Sequence, residues 1–246
     1  MARPKIICHM HTLLNGRIDG IANITSVGWR AQRLYYELML GQNRAFTKHR
    51  GWISGSGTSQ AIMGEPAKAQ LVEPSEPVPA GDYIAQPDAE MFYFAVDSSG
   101  KLLWSQDSFD YFEISAHIVE LIPANVSEAF KAHLRSVGVS YILAGQDKLD
   151  MAEAVEKIGQ IFGMEELMLG GGAHLNWSMI RDGLCDELSL VLMPTADAEG
   201  HTNSLFEANE KYSSPAPVEF KFTSAEPLED GSVWLRYDVV GEIRED

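Results

Sequence analysis

The sequence of 246 residues contains only two cysteines, Cys8 and Cys185, and no apolar run long enough to span a membrane. Both cysteines lie in apolar stretches far apart in the chain, so we expect two reduced core residues and not a disulfide bridge. A membrane-spanning helix needs about 20 apolar residues. The N-terminal residues also lack the apolar centre of a signal peptide. We therefore expect a cytoplasmic protein without a membrane segment.

Basic residues are scarce, with 19 Lys and Arg against 35 Asp and Glu, which gives a net charge of −16. The imbalance is uneven, because residues 1–50 carry a net charge of +6 and residues 51–246 a net charge of −22. An acidic excess of this size argues against binding to a nucleic-acid backbone. The basic first fifth is compatible either with a small anionic ligand or with an ordinary solvated surface.

Strand-like and helix-like segments alternate between residues 90 and 195, which predicts a mostly parallel sheet covered by helices on both faces. Two alternating runs, Val218–Ala225 and Val233–Val240, flank Asp230 and Gly231 and predict an antiparallel hairpin at one sheet edge. Further strands are predicted at Lys5–Met10, Gly51–Ile53, Met91–Val96, Ser115–Leu121, Val139–Ala144, Glu166–Leu169 and Leu188–Met193. Helices are predicted at Trp29–Gly41, Ser127–Val137 and His174–Asp182, with another that Asp150 and Glu153 cap and Gly163 ends.

Proline is concentrated in one place, since residues 65–88 hold five of the eleven prolines. Such a segment predicts a long surface loop. Because periodic apolar segments lie close on both sides, we interpret it as an excursion within a single domain that covers residues 1–246.

The segment Gly170-Gly171-Gly172 stands between a predicted strand and a predicted helix. Glycines let a backbone approach a ligand closely, and the free N–H groups at a helix N-terminus favour phosphate. A tight strand-to-helix turn without any ligand explains the same pattern, because the spaced dinucleotide fingerprint is absent. Both interpretations stay open on the residues alone.

A second glycine-containing turn, Gly55-Ser56-Gly57-Thr58, also follows a predicted strand. A flexible Ser/Gly loop is the alternative to a ligand site. Two turns of this kind at the ends of strands support each other, because a dinucleotide presents both phosphate and ribose.

Other catalytic signatures are missing. His9 and His11 face the same side of a strand, but two histidines are too few for a metal site, and no metal-binding spacing supplies more ligands. No nucleophile elbow, Walker sequence or cysteine–histidine catalytic signature occurs either. We predict no metal and assign no catalytic residue.

The run GGGAHLNWSMIRDGLCDELSLVLMP resembles the EGG-x-x-LN-x-x-L-x-x-GLVDEL-x-L-x-x-P stretch of the riboflavin-pathway pyrimidine reductases, the RibD C-terminal-domain-like family. Other segments agree in order: RPKIICHMHTLLNGRI with the opening strand, GSGT with the G-x-GT turn, FAVDSSGKLLW with VxDSxGRL, and VWLRYDV at the end. The likeness extends over essentially the whole chain, and the glycine–LN–GL-DEL segment is its most specific part.

This resemblance implies a dihydrofolate-reductase-like fold, a three-layer α/β/α sandwich with a mostly parallel central sheet and an antiparallel C-terminal hairpin. It also implies a homodimer and NADPH as the cofactor. The family reaction reduces the ribosyl chain of an aminouracil or diaminopyrimidinone phosphate, so the implied substrate is a small anionic or phosphorylated molecule. The residues implied to bind the cofactor are Gly55, Ser56, Gly57, Thr58, Gly170, Gly171, Gly172, Ala173 and His174. Those implied to face the substrate are His9, Asn15, Arg17 and Asp97.

Four positions depart from the family pattern. Asn15 replaces the usual Asp, Arg17 the usual Lys, Gly170 the usual Glu, and Ile62 a common acidic residue. Three functions are therefore compatible with the sequence: a riboflavin-pathway reductase, an NADPH reductase of the same fold acting on another small carbonyl or pteridine-like substrate, and a nucleotide-binding protein without catalysis.

Overall fold

The structure is a computed structural model that describes residues 3–63, 71–210 and 213–243. The chain forms two compact units. The first comprises Met1–Pro4 and Lys48–Leu167, and the second comprises Lys5–Thr47 and Met168–Asp246. The expectation of a single domain over residues 1–246 stays a prediction.

The described residues form ten strands and five α-helices, which alternate along the chain except in two runs of three consecutive strands. The strands are β1 (Lys5–Thr12), β2 (His49–Gly55), β3 (Phe92–Val96), β4 (Ser108–Tyr111), β5 (Ile114–Ile122), β6 (Ser140–Leu143), β7 (Glu166–Leu169), β8 (Glu187–Leu192), β9 (Val218–Pro227) and β10 (Val233–Glu242). The helices are α1 (Ser26–Leu40), α2 (Ser56–Met63), α3 (Glu128–Ser136), α4 (Met151–Phe162) and α5 (Ala173–Arg181), with a short 3-10 helix at Ile21–Ile24.

In the first unit, β2 pairs with β3, β3 with β5, and β5 with β6, all in parallel, while β4 runs antiparallel to β5. The centre of this sheet is apolar because β3 is covered on both faces. Phe92, Tyr93, Phe94 and Ala95 are all fully buried. A near-continuous apolar run of this kind is typical of parallel strands with two buried faces.

In the second unit, β1 pairs with β8 in parallel, β8 with β10 antiparallel, and β10 with β9 antiparallel. The connection between β9 and β10 runs from Leu228 to Ser232 and closes with a hydrogen bond from Leu228 N to Ser232 O of 2.8 Å. Gly231 takes a φ of +88° within it. The α/β class, the mostly parallel pairing and the C-terminal antiparallel hairpin are confirmed.

Local capping explains where the helices begin. α1 starts at Ser26 and not at Trp29 because the Thr25 side chain accepts from Gly28 N. Asp150 caps α4 by accepting from Glu153 N. The expected reciprocal contact of Glu153 is wrong, because its carboxylate accepts from Gly145 N at 2.7 Å and fastens the preceding turn.

The proline-rich segment is described from residue 71 onward, and residues 65–70 of the predicted excursion lie outside the described residues. Residues 71–88 form no helix or continuous strand. Tyr83 nevertheless makes an antiparallel bridge with Tyr141 of β6, with N–O distances of 2.8 and 2.9 Å. The Arg135 guanidinium lies 4.3 Å from the centre of the Tyr83 ring and donates to the Tyr141 hydroxyl at 2.9 Å. This segment therefore lies along the free side of β6.

Cys8 and Cys185 are both free and buried, as predicted. None of the helices within the described ranges is long and apolar enough to cross a membrane.

Candidate functional site

The glycine turn lies in the second unit and connects the end of β7 to the start of α5. Gly171 is buried with a φ of +99°, a backbone conformation that side chains disfavour. A Cβ at this position would lie 3.3 Å from the sulfur of Met10, so the backbone is closely packed on that side. Gly172 is the N-cap residue of α5, and no side chain caps the helix there. The turn therefore presents backbone N–H groups at a helix N-terminus.

Behind this turn lies a buried polar side chain, Asn176. Its backbone N–H donates to Gly172 O at 2.9 Å, and its side-chain nitrogen donates weakly to Leu205 O at 3.4 Å. The Oδ1 atom is buried without a hydrogen-bond partner in the described part of the chain. Buried polar atoms are normally paired, so the first turn of α5 contains a polar group that the protein itself leaves unsatisfied.

The turn at residues 13–17 follows β1 in the same unit. It closes through a hydrogen bond from Leu13 N to Arg17 O of 2.8 Å. Asn15 is exposed, and its side-chain nitrogen donates to Asp197 O at 2.7 Å. The Arg17 guanidinium is half-buried and donates to Thr202 O. Both side chains therefore already bind carbonyl oxygens of the segment that follows β8.

That segment, residues 195–207, contacts both turns. Leu205 N donates to Gly16 O at 3.1 Å, and Glu207 N donates to Ala173 O at 3.3 Å. His174, which is exposed, lies with its Nδ1 3.0 Å from Glu207 O. The structure thus brings Asn15, Arg17 and the start of α5 against one connecting loop.

No motif in the sequence predicts a role for this loop. The available signal was its polar run TADAEGHTNS between β8 and β9, a length and composition typical of functional loops. A run of this kind does not indicate which other turn it contacts.

His9 was assigned to the substrate site, but the structure gives it a different environment. The side chain is fully buried and stacks on Tyr35 with ring centres 4.4 Å apart. Its Nε2 lies 2.9 Å from Tyr35 O and its Nδ1 2.8 Å from Ser189 Oγ, which also accepts from Trp234 Nε1 at 2.8 Å. Both ring nitrogens are occupied by the protein, so His9 acts as a core residue.

The neighbouring His11 stacks edge-on against Tyr35, with ring centres 4.9 Å apart. Burial lowers the pKa of His11 to about 4, so the ring is neutral at physiological pH. Within the described ranges no group of three His, Cys, Asp or Glu side chains is arranged to hold a metal ion.

The Gly55-Ser56-Gly57-Thr58 turn lies in the first unit. β2 ends at Gly55 and α2 begins at Ser56, so a helix follows the strand directly. Gly57 is exposed, and a Cβ there would meet no atom within 4 Å. The hydroxyl of Ser59, one residue after the turn, lies 2.8 Å from that of Tyr93 and donates to Gly55 O at 3.2 Å.

Asp97, the last candidate substrate residue, also lies in the first unit and is fully buried after β3. Its carboxylate accepts from the backbone N–H groups of Ser99, Lys101 and Leu102 at 3.1, 2.5 and 2.8 Å. These bonds hold the turn that follows β3, so Asp97 has a structural role.

Comparisons with known proteins agree with this architecture. Residues 115–233 match the family model of the RibD C-terminal domain. A pyrimidine reductase-like protein from Corynebacterium diphtheriae is 16% identical, with a TM-score of 0.61 over 98% of this chain and 93% of that one. RibD from Acinetobacter baumannii is 15% identical, with a TM-score of 0.59 over 97% of this chain and 58% of that one. The Saccharomyces cerevisiae riboflavin biosynthesis reductase Rib7 is 13% identical, with a TM-score of 0.54 over 97% of this chain and 90% of that one.

These likenesses show that the chain shares the fold of the pyrimidine reductases. The chain spans little more than half the length of the Acinetobacter protein, 58%. The matched family segment contains the glycine turn, α5 and β8, which is the part of the sequence that carried the resemblance.

Proposed function

We propose, from the premise that residues 115–233 belong to the RibD C-terminal domain family, that this protein is an NADPH-dependent reductase. Its proposed substrate is a small anionic or phosphorylated molecule of the aminouracil or diaminopyrimidinone phosphate type. The observation that carries the proposal is the glycine turn, because it combines a helix N-terminus without a side-chain cap and a positive φ at Gly171.

The residues around this turn fit a dinucleotide. A diphosphate is an anion, and backbone N–H groups at a helix N-terminus are a favourable environment for one. We propose that Gly170, Gly171, Gly172, Ala173 and His174 hold the diphosphate. The buried and unsatisfied Oδ1 of Asn176 supports a polar occupant near this end of the helix. When bound, NADPH would supply the hydride for the reduction.

In the first unit we propose Gly55, Ser56, Gly57 and Thr58 as further cofactor-binding residues. Support comes from their position at the end of β2 and in the first turn of α2, where two hydroxyl side chains alternate with glycines. His9 and Asp97 are left out of the proposed substrate site, because the structure buries both and uses their polar atoms internally.

Asn15 and Arg17 remain the proposed substrate-binding residues. Arg17 supplies a positive charge for an anionic group, and its planar guanidinium can bind two oxygens at once. These residues bind and orient the substrate, and no side chain of the protein is assigned as a proton donor.

A second candidate is reduction of another small carbonyl or pteridine-like molecule. The observation that favours it is that Asn15 and Arg17 each donate to a backbone carbonyl of the 195–207 loop. Donors already engaged in this way are less suited to a substrate that needs them both. If the protein binds NADPH but no carbonyl substrate oxidises it, the protein is a nucleotide-binding protein without catalysis.

The cofactor assignment is tested by Gly171→Val. A branched side chain would strain the positive φ and collide with Met10, and we expect the dissociation constant for NADPH to rise at least about tenfold, since each 1.4 kcal/mol is a factor of ten. Calorimetric titration with NADPH measures it. The control is Gly231→Val in the β9–β10 connection, which also has a positive φ, +88°, but lies in the hairpin. Equal NADPH affinity in a folded Gly171→Val protein and in the control would contradict the assignment.

We also propose that the protein is cytoplasmic, does not bind nucleic acid or membranes, and functions as a homodimer. The support for the dimer is the family resemblance and the long strand at the end of the sheet of the second unit, which needs cover.

A further inference from the structure

The strand β9 forms one end of the sheet in the second unit. It pairs with β10 along one edge, and no described strand pairs with its other edge. An edge strand of this kind presents a row of backbone N–H and C=O groups that can pair with another chain. Its side chains are also accessible, and Phe222 is 58% exposed.

Only part of this edge is regular enough to pair. Phe222 of β9 lies opposite Tyr237 of β10. The next β9 residue with a partner is Ser224, which lies opposite Arg236. Thr223 is therefore a bulge that interrupts the edge. On the other side, Pro217 has no N–H to donate. The section of β9 that carries no extra residue of its own is the five residues 218–222, and opposite it β10 has a second bulge at Val240, between the partners of Phe220 and Glu219.

These five residues have the sequence Val-Glu-Phe-Lys-Phe. When two copies of the section run antiparallel, the acidic residue of one copy can face the basic residue of the other. If two copies run antiparallel with Phe220 opposite Phe220, then Glu219 of one copy lies opposite Lys221 of the other, and the reverse pair forms as well. A centre at Glu219 or Lys221 would place like charges opposite each other. If the centre of the pairing lies between two residues, no charged residue of one section lies opposite a charged residue of the other. Opposite charges across a strand pair are favourable and like charges unfavourable.

We propose that two copies of this chain associate through β9, paired antiparallel about a two-fold axis at Phe220. Such an interface is isologous, because each copy contributes the same five residues. The aromatic side chains support it. Phe220 stacks on Phe206 with ring centres 6.0 Å apart, and Phe222 packs on Tyr237 at 5.8 Å. Phe222 would lie opposite Val218 of the second copy, which covers its exposed ring.

The proposal names the surface of the dimer proposed above and does not depend on the reductase activity. Its test is a charge exchange measured by sedimentation velocity over a range of protein concentrations. The wild type is expected at about twice the 27.2 kDa mass of the chain. Lys221→Glu places Glu opposite Glu at both pairs, and we expect the dimer dissociation constant to rise at least about tenfold. Glu219→Lys is expected to do the same.

The double variant Glu219→Lys with Lys221→Glu restores opposite charges in the reverse sense and should restore the dimer. Glu226→Lys is the matched control, because it changes the charge equally but lies beyond the bulge. Circular dichroism confirms that each variant is folded. A wild type that dimerises but does not respond to Lys221→Glu would overturn this surface while leaving the dimer intact. A monomeric wild type would overturn both, and neither result bears on NADPH binding.

Discussion

Glu120 is a carboxylic acid that the protein buries completely in β5. Trp104 Nε1 donates to its Oε1, while Oε2 has no hydrogen-bond partner among the described residues. Burial raises the pKa of Glu120 well above its usual range, and the nearby carboxylate of Asp97 raises it further. The folded protein therefore holds the proton of this acid more tightly than the unfolded chain does.

This difference makes the folded state pH-dependent. In the unfolded chain the pKa of a glutamate is about 4.3. Below that pH Glu120 is protonated in both the folded and the unfolded state, so its ionisation does not change the free energy of unfolding. As the pH rises toward the folded pKa, the unfolded chain gains by ionising, and stability is lost. We expect Glu120→Gln to remove this loss, because an amide keeps the acceptor for Trp104 and carries no charge.

We expect the gain to be present at pH 8 and absent at pH 4, because the unfolded chain gains by ionising only above the unfolded pKa. For a chain of this size, each ~1 kcal/mol of gain raises the melting temperature by about 2–4 °C. Thermal unfolding from pH 4 to pH 8 measures it, with the exposed Glu113→Gln as the control. A gain that is equal at both ends of the pH range would contradict the assigned protonation.

The proposed substrate site yields a second prediction for single residues. Asn15 and Gly170 stand where the family has carboxylates, so two charge-assisted hydrogen bonds to a polar substrate are missing, each worth roughly 1.5–3 kcal/mol. We expect normal NADPH binding but slow turnover of the riboflavin-pathway intermediate. Asn15→Asp combined with Gly170→Glu should raise that turnover at least about tenfold.

NADPH oxidation measured by absorbance, with the phosphorylated intermediate and a panel of other carbonyl substrates, checks this expectation. Asp19→Asn, an exposed change in the loop after Arg17, is the control. Rapid turnover by the wild type, or no gain in the double variant, would show that these two positions do not decide the substrate.

At the scale of elements, residues 71–88 of the proline-rich segment, called the strap below, are held against β6. Several contacts hold it besides the Tyr83–Tyr141 bridge, among them the following three. Asp82 Oδ1 accepts from Leu143 N at 2.8 Å, Glu128 accepts from Val78 N at 3.0 Å, and Arg135 lies against the Tyr83 ring. The last contact combines cation–π attraction with hydrogen bonds from the same guanidinium to the Tyr141 hydroxyl and to Pro79 O.

We therefore expect Arg135→Ala to loosen the strap. A cation–π contact is worth about 0.5–1 kcal/mol at an exposed site, so local opening should become about two- to fivefold more frequent. Hydrogen exchange of the Tyr83 and Tyr141 amides reports this opening directly, since each donates to the other residue. Lys101→Ala, an exposed change elsewhere in the first unit, should leave both rates unchanged. Unaltered exchange in Arg135→Ala would mean that the bridge does not depend on the guanidinium.

Most elements could be predicted from the sequence, because apolar periodicity and caps are local. The β9–β10 hairpin follows from alternation around Asp230 and Gly231, and α4 follows from Asp150 and its apolar face. β4 was missed because SFDY is only four residues long and is partly exposed or exposed throughout. The second role of Glu153 could not be predicted, since it depends on where Gly145 lies in space.

The candidate site divides in the same way. The glycines between β7 and α5 identify the start of α5 in the sequence, because a backbone with a positive φ favours this residue type. The buried position of His9 could not be predicted, since a histidine on a strand looks the same in sequence whether it meets a ligand or Ser189 and Tyr35. The contacts of the 195–207 loop could not be predicted either, because they join residues about 180 positions apart, as Asn15 and Asp197 are.

For the molecule as a whole, the basic first fifth is partly used to neutralise the acidic remainder. Lys5 pairs with Glu187 at 2.7 Å, and Lys48 pairs with Glu165 at 3.2 Å. Glu187 is 4% exposed and also binds Arg236, so this carboxylate connects β1, β8 and β10. Pairing with the acidic remainder thus accounts for Lys5 and Lys48, which neither interpretation of the basic segment had included, and Arg17 lies in the proposed site.

The carboxylate of Asp197 has a consequence for how this sequence can change over time. Its Oδ2 accepts from Ala22 N at 3.1 Å and occupies the space where a side chain at Gly20 would begin. Gly20 also has a φ of +148°. A larger residue at 20 would displace the carboxylate, and a residue at 197 without a side-chain acceptor would leave the N–H of Ala22 without this partner. The residue tolerated at position 20 therefore depends on the residue present at position 197.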